Sequence, residues 1–108
     1  MGPTPGPPSA DAPGDLQVVK VTSSRVELGW KDNAKSAVAY IVQRCTGADC
    51  TDFANAIGQM GDNITTAMDP NVKAGETYRY RVYAMLPTAR GPRGSGVSNV
   101  VTVHIPEN

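Results

Sequence analysis

The sequence has little aromatic content, few cysteines, no excess of either charge and no long apolar run, and these shortages exclude several classes of protein. Its 10 Lys and Arg residues balance its 10 Asp and Glu residues, so the formal net charge is zero. A chain without excess positive charge lacks the bulk attraction that draws proteins to nucleic acids or anionic membranes. No apolar run approaches the ~20 residues that a membrane-spanning helix needs. We therefore predict no nucleic-acid partner and no membrane insertion.

The start of the chain also lacks a targeting signal. Met1-Gly2-Pro3-Thr4 has neither the charged region nor the apolar region of a secretory signal peptide. We therefore expect the chain to be a piece of a longer protein. Its 108 residues suffice for one domain with one modest hydrophobic core.

Residue patterns that carry catalysis or bind metals are missing. His104 is the only histidine, and no neighbouring Ser or Asp pattern would make it a general base. It is more simply interpreted as an exposed strand residue. Carboxylates cluster in turns at Asp49/Asp52 and Asp62/Asp69, but they do not follow the spacing of a calcium-binding loop. We predict no enzymatic activity, no cofactor and no metal.

The only two cysteines, Cys45 and Cys50, enclose a polar tetrapeptide at 46–49. Residues of this kind form turns that can bring two sulfurs together, so a local disulfide is the favoured interpretation. Free thiols and a metal site stay open as alternatives, although a metal needs about four ligands and no second Cys/His pair is present. A disulfide indicates an oxidising compartment, which predicts a secreted or cell-surface protein.

The first 14 residues differ from the rest in composition. They contain the prolines Pro3, Pro5, Pro7, Pro8 and Pro13, separated by small polar residues. This composition favours an extended, polyproline-like backbone and offers no apolar face. We interpret residues 1–14 as an interdomain linker and residues 15–106 as the domain. SH3-type ligands share this composition, but no Arg or Lys lies beside residues 4–8 to fix a peptide's orientation.

After Asp15, short runs of β-branched and aromatic residues alternate with Gly, Asp, Asn and Pro, as is typical of an all-β sandwich or barrel. The predicted strands are 16–21, 25–30, 38–44, 53–60, 64–68, 77–86 and 97–105. The alternation of apolar and polar residues predicts that one face of these strands lies in the core. The predicted core residues are Trp30, Tyr40, Val42, Tyr78, Tyr80 and Val82. Residues 87–96, rich in Gly and Pro, are predicted to form a long loop.

Three stretches of the sequence resemble fibronectin type III domains: residues 16–30, 40–44 and 72–84. The resemblance extends over residues 14–106 and implies a seven-stranded antiparallel immunoglobulin-like β-sandwich. It implies that Trp30 anchors the core and that Tyr78 is a corner tyrosine whose hydroxyl bonds back to the preceding loop. It also implies that Ser98 opens the final strand.

Residues 44–53 are similar to modules of secreted bacterial proteins, among them depolymerases and cell-surface proteins. The resemblance implies a non-catalytic accessory module that acts as a spacer between domains of an extracellular, polysaccharide-degrading protein. Its partners would be the neighbouring domains of the same polypeptide, and we expect a monomer. The loop at 87–96 does not contain an Arg-Gly-Asp motif, so integrin binding by that route is not supported.

A protein- or carbohydrate-binding module is the alternative, with a polysaccharide or a cell-surface protein as the partner. Alternation places Tyr83 on the outward face of its strand, beside Arg79 and Arg81, while Arg90 and Arg93 lie in the loop at 87–96. A rigid sandwich commonly carries recognition on its end loops. The binding hypothesis therefore names Tyr83, Arg90 and Arg93, although exposed arginines are usually solvated without a ligand.

Two further residues complete the predictions. Phe53 is expected to pack under the disulfide turn. Asn63-Ile64-Thr65 satisfies the N-glycosylation pattern, which occurs often by chance and matters only in a host that glycosylates.

Overall fold

The chain folds almost entirely into β-strands and turns. The computed structural model describes residues 3–61 and 64–107, with only the backbone described at Met60. In this part of the chain the strands are β1 (Gly14–Thr22), β2 (Arg25–Lys31), β3 (Ala39–Thr46), β4 (Ala54–Met60), β5 (Thr66–Asp69), β6 (Thr77–Leu86), β7 (Arg93–Val97) and β8 (Val101–His104). The sequon residue Asn63 and the turn residue Asp62 lie outside the described residues.

The strands form two antiparallel sheets that pack face to face. One sheet has the order β1-β2-β5, and the other has the order β4-β3-β6-β7, with β8 also paired to β6. The register of β3 on β6 runs without interruption from Ala39↔Met85 to Thr46↔Tyr78. The predicted class, an all-β immunoglobulin-like sandwich, is confirmed.

The last predicted strand is wrong in its bounds, and among the described residues two separate strands pair with β6 in its place. Residues 93–96, which were assigned to a loop, form β7 together with Val97, and Ser98 precedes rather than opens the final strand β8. Both strands pair with β6, β7 with its end and β8 with its start. The sequence misled because Gly94 and Gly96 were interpreted as loop formers, whereas both are buried in a strand.

Two serines and one asparagine hold the break between β7 and β8 together. The hydroxyl oxygens of Ser95 and Ser98 accept hydrogen bonds from the backbone N–H groups of Ala84 and Val82, each at 2.9 Å. The side chain of Asn99 accepts from the N–H of Leu16 at 2.9 Å and donates to its carbonyl oxygen at 3.0 Å. These side chains replace main-chain partners, because buried N–H groups must be satisfied.

The core lies between the two sheets. It contains all six residues that the alternation of apolar and polar residues assigned to the core. Val42, Tyr40, Tyr80 and Val82 are fully buried, Tyr78 is 4% exposed and Trp30 is 7% exposed. The rings of Trp30 and Tyr40 lie 5.7 Å apart in a tilted arrangement. The hydroxyl of Tyr78 accepts a hydrogen bond from the N–H of Lys73 at 3.0 Å, as the corner-tyrosine expectation requires.

The chain enters and leaves the sandwich at opposite ends. At one end, Gly14 pairs with Lys31, which leads through a turn to β3, and the N–H of Val38 donates to the carbonyl of Met85. At the other end, the N–H of Ile105 donates to the carbonyl of Glu76, immediately before the start of β6. The length of β6, ten residues, therefore separates the entry from the exit.

Candidate functional site

The three residues of the binding hypothesis do not form one exposed surface. Arg90 and Arg93 are exposed, Arg90 in a turn closed by the N–H of Gly91 and the carbonyl of Thr88. Tyr83 has no exposed surface at all. Its predicted exposure is therefore wrong, although the direction of its side chain, away from the core, was assigned correctly.

Tyr83 is buried because residues 3–9, here called the strap, lie across the outer face of the five-stranded sheet. The hydroxyl of Tyr83 donates to the carbonyl of Pro3 at 2.9 Å, and the side-chain amide of Asn55 donates to the same oxygen at 2.8 Å. Further along, the N–H of Gly6 donates to the carbonyl of Ser95 at 2.8 Å. These contacts were missed because the composition of residues 1–14 was interpreted as a linker without partners.

Glycines make this close approach possible. A Cβ at Gly94 would overlap the carbonyl oxygen of Thr4, and a Cβ at Gly96 would lie 2.9 Å from the carbonyl oxygen of Pro7. A Cβ at Gly6, on the strap itself, would overlap the carbonyl of Gly94. Alternate residues of a strand point to the same face, so Gly94 and Gly96 together leave a bare channel on β7.

Polar and aromatic side chains continue across the outer face from Tyr83 towards the disulfide turn. The hydroxyl of Tyr83 lies 3.1 Å from Asn55 Oδ1, which also accepts from the side-chain amide of Gln43 at 3.1 Å. Gln43 in turn accepts from Arg81 Nε at 2.7 Å. The Arg81 guanidinium lies 4.3 Å from the ring centre of Phe53, in cation–π contact.

Burial sets the ionisation of two groups on this face. It lowers the pKa of Arg81, an effect that the nearby Tyr83 opposes. It raises the pKa of Tyr83, whereas the hydrogen bond with Asn55 and the charge of Arg81 act in the other direction. Burial therefore disfavours the charged form of both groups, the guanidinium of Arg81 and the phenolate of Tyr83.

Cys45 and Cys50 are joined in a disulfide at the turn between β3 and β4. Gly47 adopts a positive φ of 115° in this turn, a backbone conformation that favours glycine. The carbonyl of Cys50 accepts from Arg79 Nη1 at 2.6 Å, and Phe53 lies half-buried below the two arginines of β6. Since both sulfurs are bonded to each other, they are not free to bind a metal together with the neighbouring Asp52.

A second polar group, which the sequence did not reveal, lies between the sheets. Asp69 is 1% exposed, and its Oδ2 accepts from Tyr80 Oη and from Arg44 Nη1, each at 2.7 Å. Burial acts to raise the pKa of Asp69, but the hydrogen bonds from Tyr80, from the N–H of Asn71 and from Arg44 hold it below its usual value. Both oxygens of this carboxylate accept hydrogen bonds within the domain, which indicates a structural role.

The arrangement of the described residues does not combine a nucleophile, a base and an orienting group. His104 is exposed on β8, and its Nδ1 lies 2.9 Å from the hydroxyl of Thr77. Ser95 and Ser98 are buried and already occupied by backbone N–H groups. One open surface depression, of about 260 Å³, is lined by residues such as Val19, Glu27 and Met68. Among the described residues there is also no helix whose length and apolar character would let it cross a bilayer.

Comparison with known proteins supports the fold and goes no further. Neither protein-family models nor curated protein sequences give a match. A solved structure described as a myokine shares 15% identity at a TM-score of 0.71, and the match covers 91% of this chain and 99% of that one. An FN3 domain of human collagen XX shares 18% identity at a TM-score of 0.66 and is covered completely, with 94% of this chain matched.

A third similar structure places the same fold in a larger protein. The kinase region of twitchin from C. elegans shares 19% identity at a TM-score of 0.74 with 94% of this chain, which spans only 17% of that chain. At identities below 20%, these similarities concern the backbone and not the chemistry of individual residues. Together with the two sheets and the corner tyrosine, they show that this chain has a fibronectin type III-like fold.

Proposed function

We propose that the chain is a non-catalytic spacer module of a secreted or cell-surface multidomain protein. The observation that carries the proposal is the position of the chain ends. The polypeptide enters β1 at one end of the sandwich and leaves β8 at the other, separated by the length of β6. Before β1, the strap leads back over the outer face to Tyr83 and Asn55. With the strap bound, a module with this layout holds whatever precedes residue 3 and whatever follows β8 at a defined separation.

The disulfide supports the extracellular part of the proposal. Disulfides persist in oxidising compartments and are rare where thiols are kept reduced. Cys45 and Cys50 are bonded across a short exposed turn, with Cys50 only half-buried. Intact mass measured with and without reduction and alkylation tests this point. An oxidised pair in the protein as secreted is expected, and free thiols there would contradict the extracellular assignment.

The spacer role is tested by placing the full chain between two fluorescent proteins and measuring energy transfer in single molecules. A folded spacer gives a narrow distribution of transfer efficiencies, because its ends are fixed. The matched control is a Gly/Ser linker of the same length, which behaves as a flexible coil and gives a broad distribution. A distribution as broad as that of the Gly/Ser linker would contradict the spacer role.

Two proposals rest on the sequence alone. One is that the parent protein degrades polysaccharides, and the other is the alternative binding role. The exposed side chains of Arg90 and Arg93 favour the alternative, whereas the burial of Tyr83 removes its aromatic contact. Retention on insoluble chitin, cellulose or xylan distinguishes the two roles. The spacer role predicts no retention on any of the three. Retention on one polymer that is lost in Arg90→Ala would favour the binding role instead.

A further inference from the structure

The strap contacts the domain as a bound peptide would. Four polar contacts hold it: the carbonyl of Pro3 accepts from Tyr83 and from Asn55, the N–H of Gly6 donates to Ser95, and Ser9 Oγ accepts from the N–H of Gly96 at 3.3 Å. They are spread over the whole segment and are not concentrated at one residue. The strap and the domain therefore meet along a continuous surface.

The surface under the strap has the features of a groove for proline-rich peptides. Such peptides dock in grooves lined by aromatic rings and lose little entropy on binding, because proline restricts their backbone in advance. Here the groove consists of Tyr83, Asn55 and the bare channel at Gly94–Gly96. Beside the strap lie Met85, Pro92 and Arg93. Its fully buried tyrosine faces away from the core.

The sequence of the strap fits this groove from its own side. Pro5 and Pro7, on either side of Gly6, have no N–H group, so the Gly6 amide is the donor at the centre of the strap and it faces β7. Residues 3–10 carry no charged side chain. Recognition must therefore depend on shape and hydrogen bonding and not on ion pairs.

We propose that β7, Tyr83 and Asn55 form a binding groove for uncharged proline-rich peptides, which the chain's own residues 3–9 fill in cis. The groove is independent of the spacer role, since it concerns recognition of a peptide and not the separation of domains. Within one chain, the covalent connection gives the strap a millimolar effective concentration, which keeps the groove occupied. A segment released from its own groove leaves the site open to the same sequence supplied in trans.

Two glycine variants of the full chain separate the strap from the groove. Gly6→Ala adds a methyl group on the strap that collides with the carbonyl of Gly94, so the strap leaves and the groove stays intact. Gly94→Ala adds the methyl group in the groove, where it collides with Thr4, so the strap leaves and the groove is blocked. Gly58→Ala on β4 is the control, since a Cβ there meets Ile41 at an ordinary 3.7 Å.

The first measurement is amide hydrogen exchange by NMR on these three variants and the wild type. Protection of the backbone amide of residue 6 is expected in the wild type and in Gly58→Ala, and its loss is expected in Gly6→Ala and Gly94→Ala. The indole signal of the buried Trp30 reports that each variant stays folded. A residue 6 amide that exchanges as fast in the wild type as in Gly6→Ala and Gly94→Ala would overturn the proposal.

The second measurement adds a peptide of residues 3–10, acetylated and amidated, to the folded variants. Saturable shifts of the Tyr83 and Ser95 signals are expected in Gly6→Ala and not in Gly94→Ala, with the same affinity at low and high salt. A peptide carrying alanine in place of Gly6 is expected not to bind. Equal responses of the two variants, or no response of Gly6→Ala at saturating peptide, would show that the groove does not recognise the segment in trans and would refute the proposal.

Discussion

Single residues in this domain combine roles that sequence patterns assign separately. Asp69 lies in a position where alternation allows an apolar residue, yet it accepts hydrogen bonds from β3 and β6 and so connects the two sheets. Tyr80 is a core residue by alternation and also a donor to that carboxylate. Burial and the charge of Asp69 both raise the pKa of Tyr80, which keeps its hydroxyl protonated as the donor.

The Asp69 carboxylate is expected to make the stability depend on acid. Its pKa is lower in the folded chain than in the unfolded chain, where it is about 3.9, so the folded state binds fewer protons. Its contribution is complete above the unfolded pKa and is lost as the pH falls through the folded pKa. Asp69→Asn should lower the free energy of unfolding at neutral pH by about 3 kcal/mol, because Arg44 loses its buried partner.

Urea denaturation of the wild type and of Asp69→Asn between neutral and acid pH measures both effects. The difference between them should shrink as the carboxylate becomes protonated. Glu27→Gln is the control, since the ion pair of Glu27 with Arg25 at 3.2 Å is solvent-exposed and such pairs contribute less than about 1 kcal/mol. A difference between wild type and Asp69→Asn that stays constant down to acid pH would contradict the assignment.

Tyr78 allows a test of the corner between Lys73 and β6. Tyr78→Phe keeps the ring in the core but removes the acceptor of the Lys73 N–H. The expected loss is about 1–2 kcal/mol of unfolding free energy, because the Lys73 N–H loses its acceptor and is only partly able to bond to water instead. The midpoint of chemical denaturation measures it, and an unchanged midpoint would mean that the hydroxyl does not hold this loop.

At the scale of elements, the turn from β3 to β4 is fixed covalently and by hydrogen bonds at once. The disulfide closes it, the N–H of Gly47 donates to the carbonyl of Thr77 at 2.8 Å, and Arg79 binds the carbonyl of Cys50. The turn is therefore anchored on β6 even without its cross-link. This anchoring holds Phe53 in place, so that the side-chain contacts on the outer face extend without a gap from Phe53 to the strap.

Removing the disulfide is expected to weaken the domain without unfolding it. A closed loop of this length contributes about 2 kcal/mol through the entropy of the unfolded chain. The double variant Cys45→Ala/Cys50→Ala should melt several degrees lower and keep the dispersed NMR spectrum of the folded state. Thermal melting followed by circular dichroism, with and without reductant, checks this. The wild type should respond to reductant and the variant should not, and complete unfolding of the variant would refute the expected magnitude.

The sequence predicts elements well where apolar and polar residues alternate. β6 was predicted with its correct bounds, because six of its residues follow a strict pattern from Tyr78 to Tyr83. β7 carries Gly94, Ser95 and Gly96, which have little strand propensity in isolation. Its Ser95 bonds to Ala84 of β6 and to Gly6 of the strap. Both partners lie outside the local sequence, so local pattern could not reveal the strand.

At the scale of the whole molecule, the β-sandwich could be predicted from the alternation of apolar and polar residues. The position of the strap on the outer face could not. Outward-facing Tyr83 is identifiable from alternation alone, but its burial depends on contacts with residues 80 positions away. The candidate site was therefore only partly predictable: Arg90 and Arg93 are exposed as loop residues usually are, and Tyr83 is not.

Trp30 of one sheet packs against Tyr40 of the other, and its removal tests the core directly. Trp30→Ala should cost about 3–5 kcal/mol, from the lost apolar contacts and the cavity that remains. A domain of this size has about 5–15 kcal/mol in total, so much of the stability should disappear. Circular dichroism during urea denaturation measures the loss, and melting like that of the wild type would refute the role of Trp30 as the anchor.

The strap also determines how the molecule would respond to a pulling force. A force on the two termini puts the same tension on the strap and on β8, and we expect the few hydrogen bonds of residues 3–9 to break first, one after another from Pro3, because the pairing of β8 with β6 is a continuous ladder. Peeling seven residues releases roughly 20–25 Å of chain at an extension of about 3.4 Å per residue. The domain would thus lengthen at low tension before its folded core opens, and the segment would rebind when the tension falls, so the spacer keeps its fixed length at rest and has a reversible first step of extension under load.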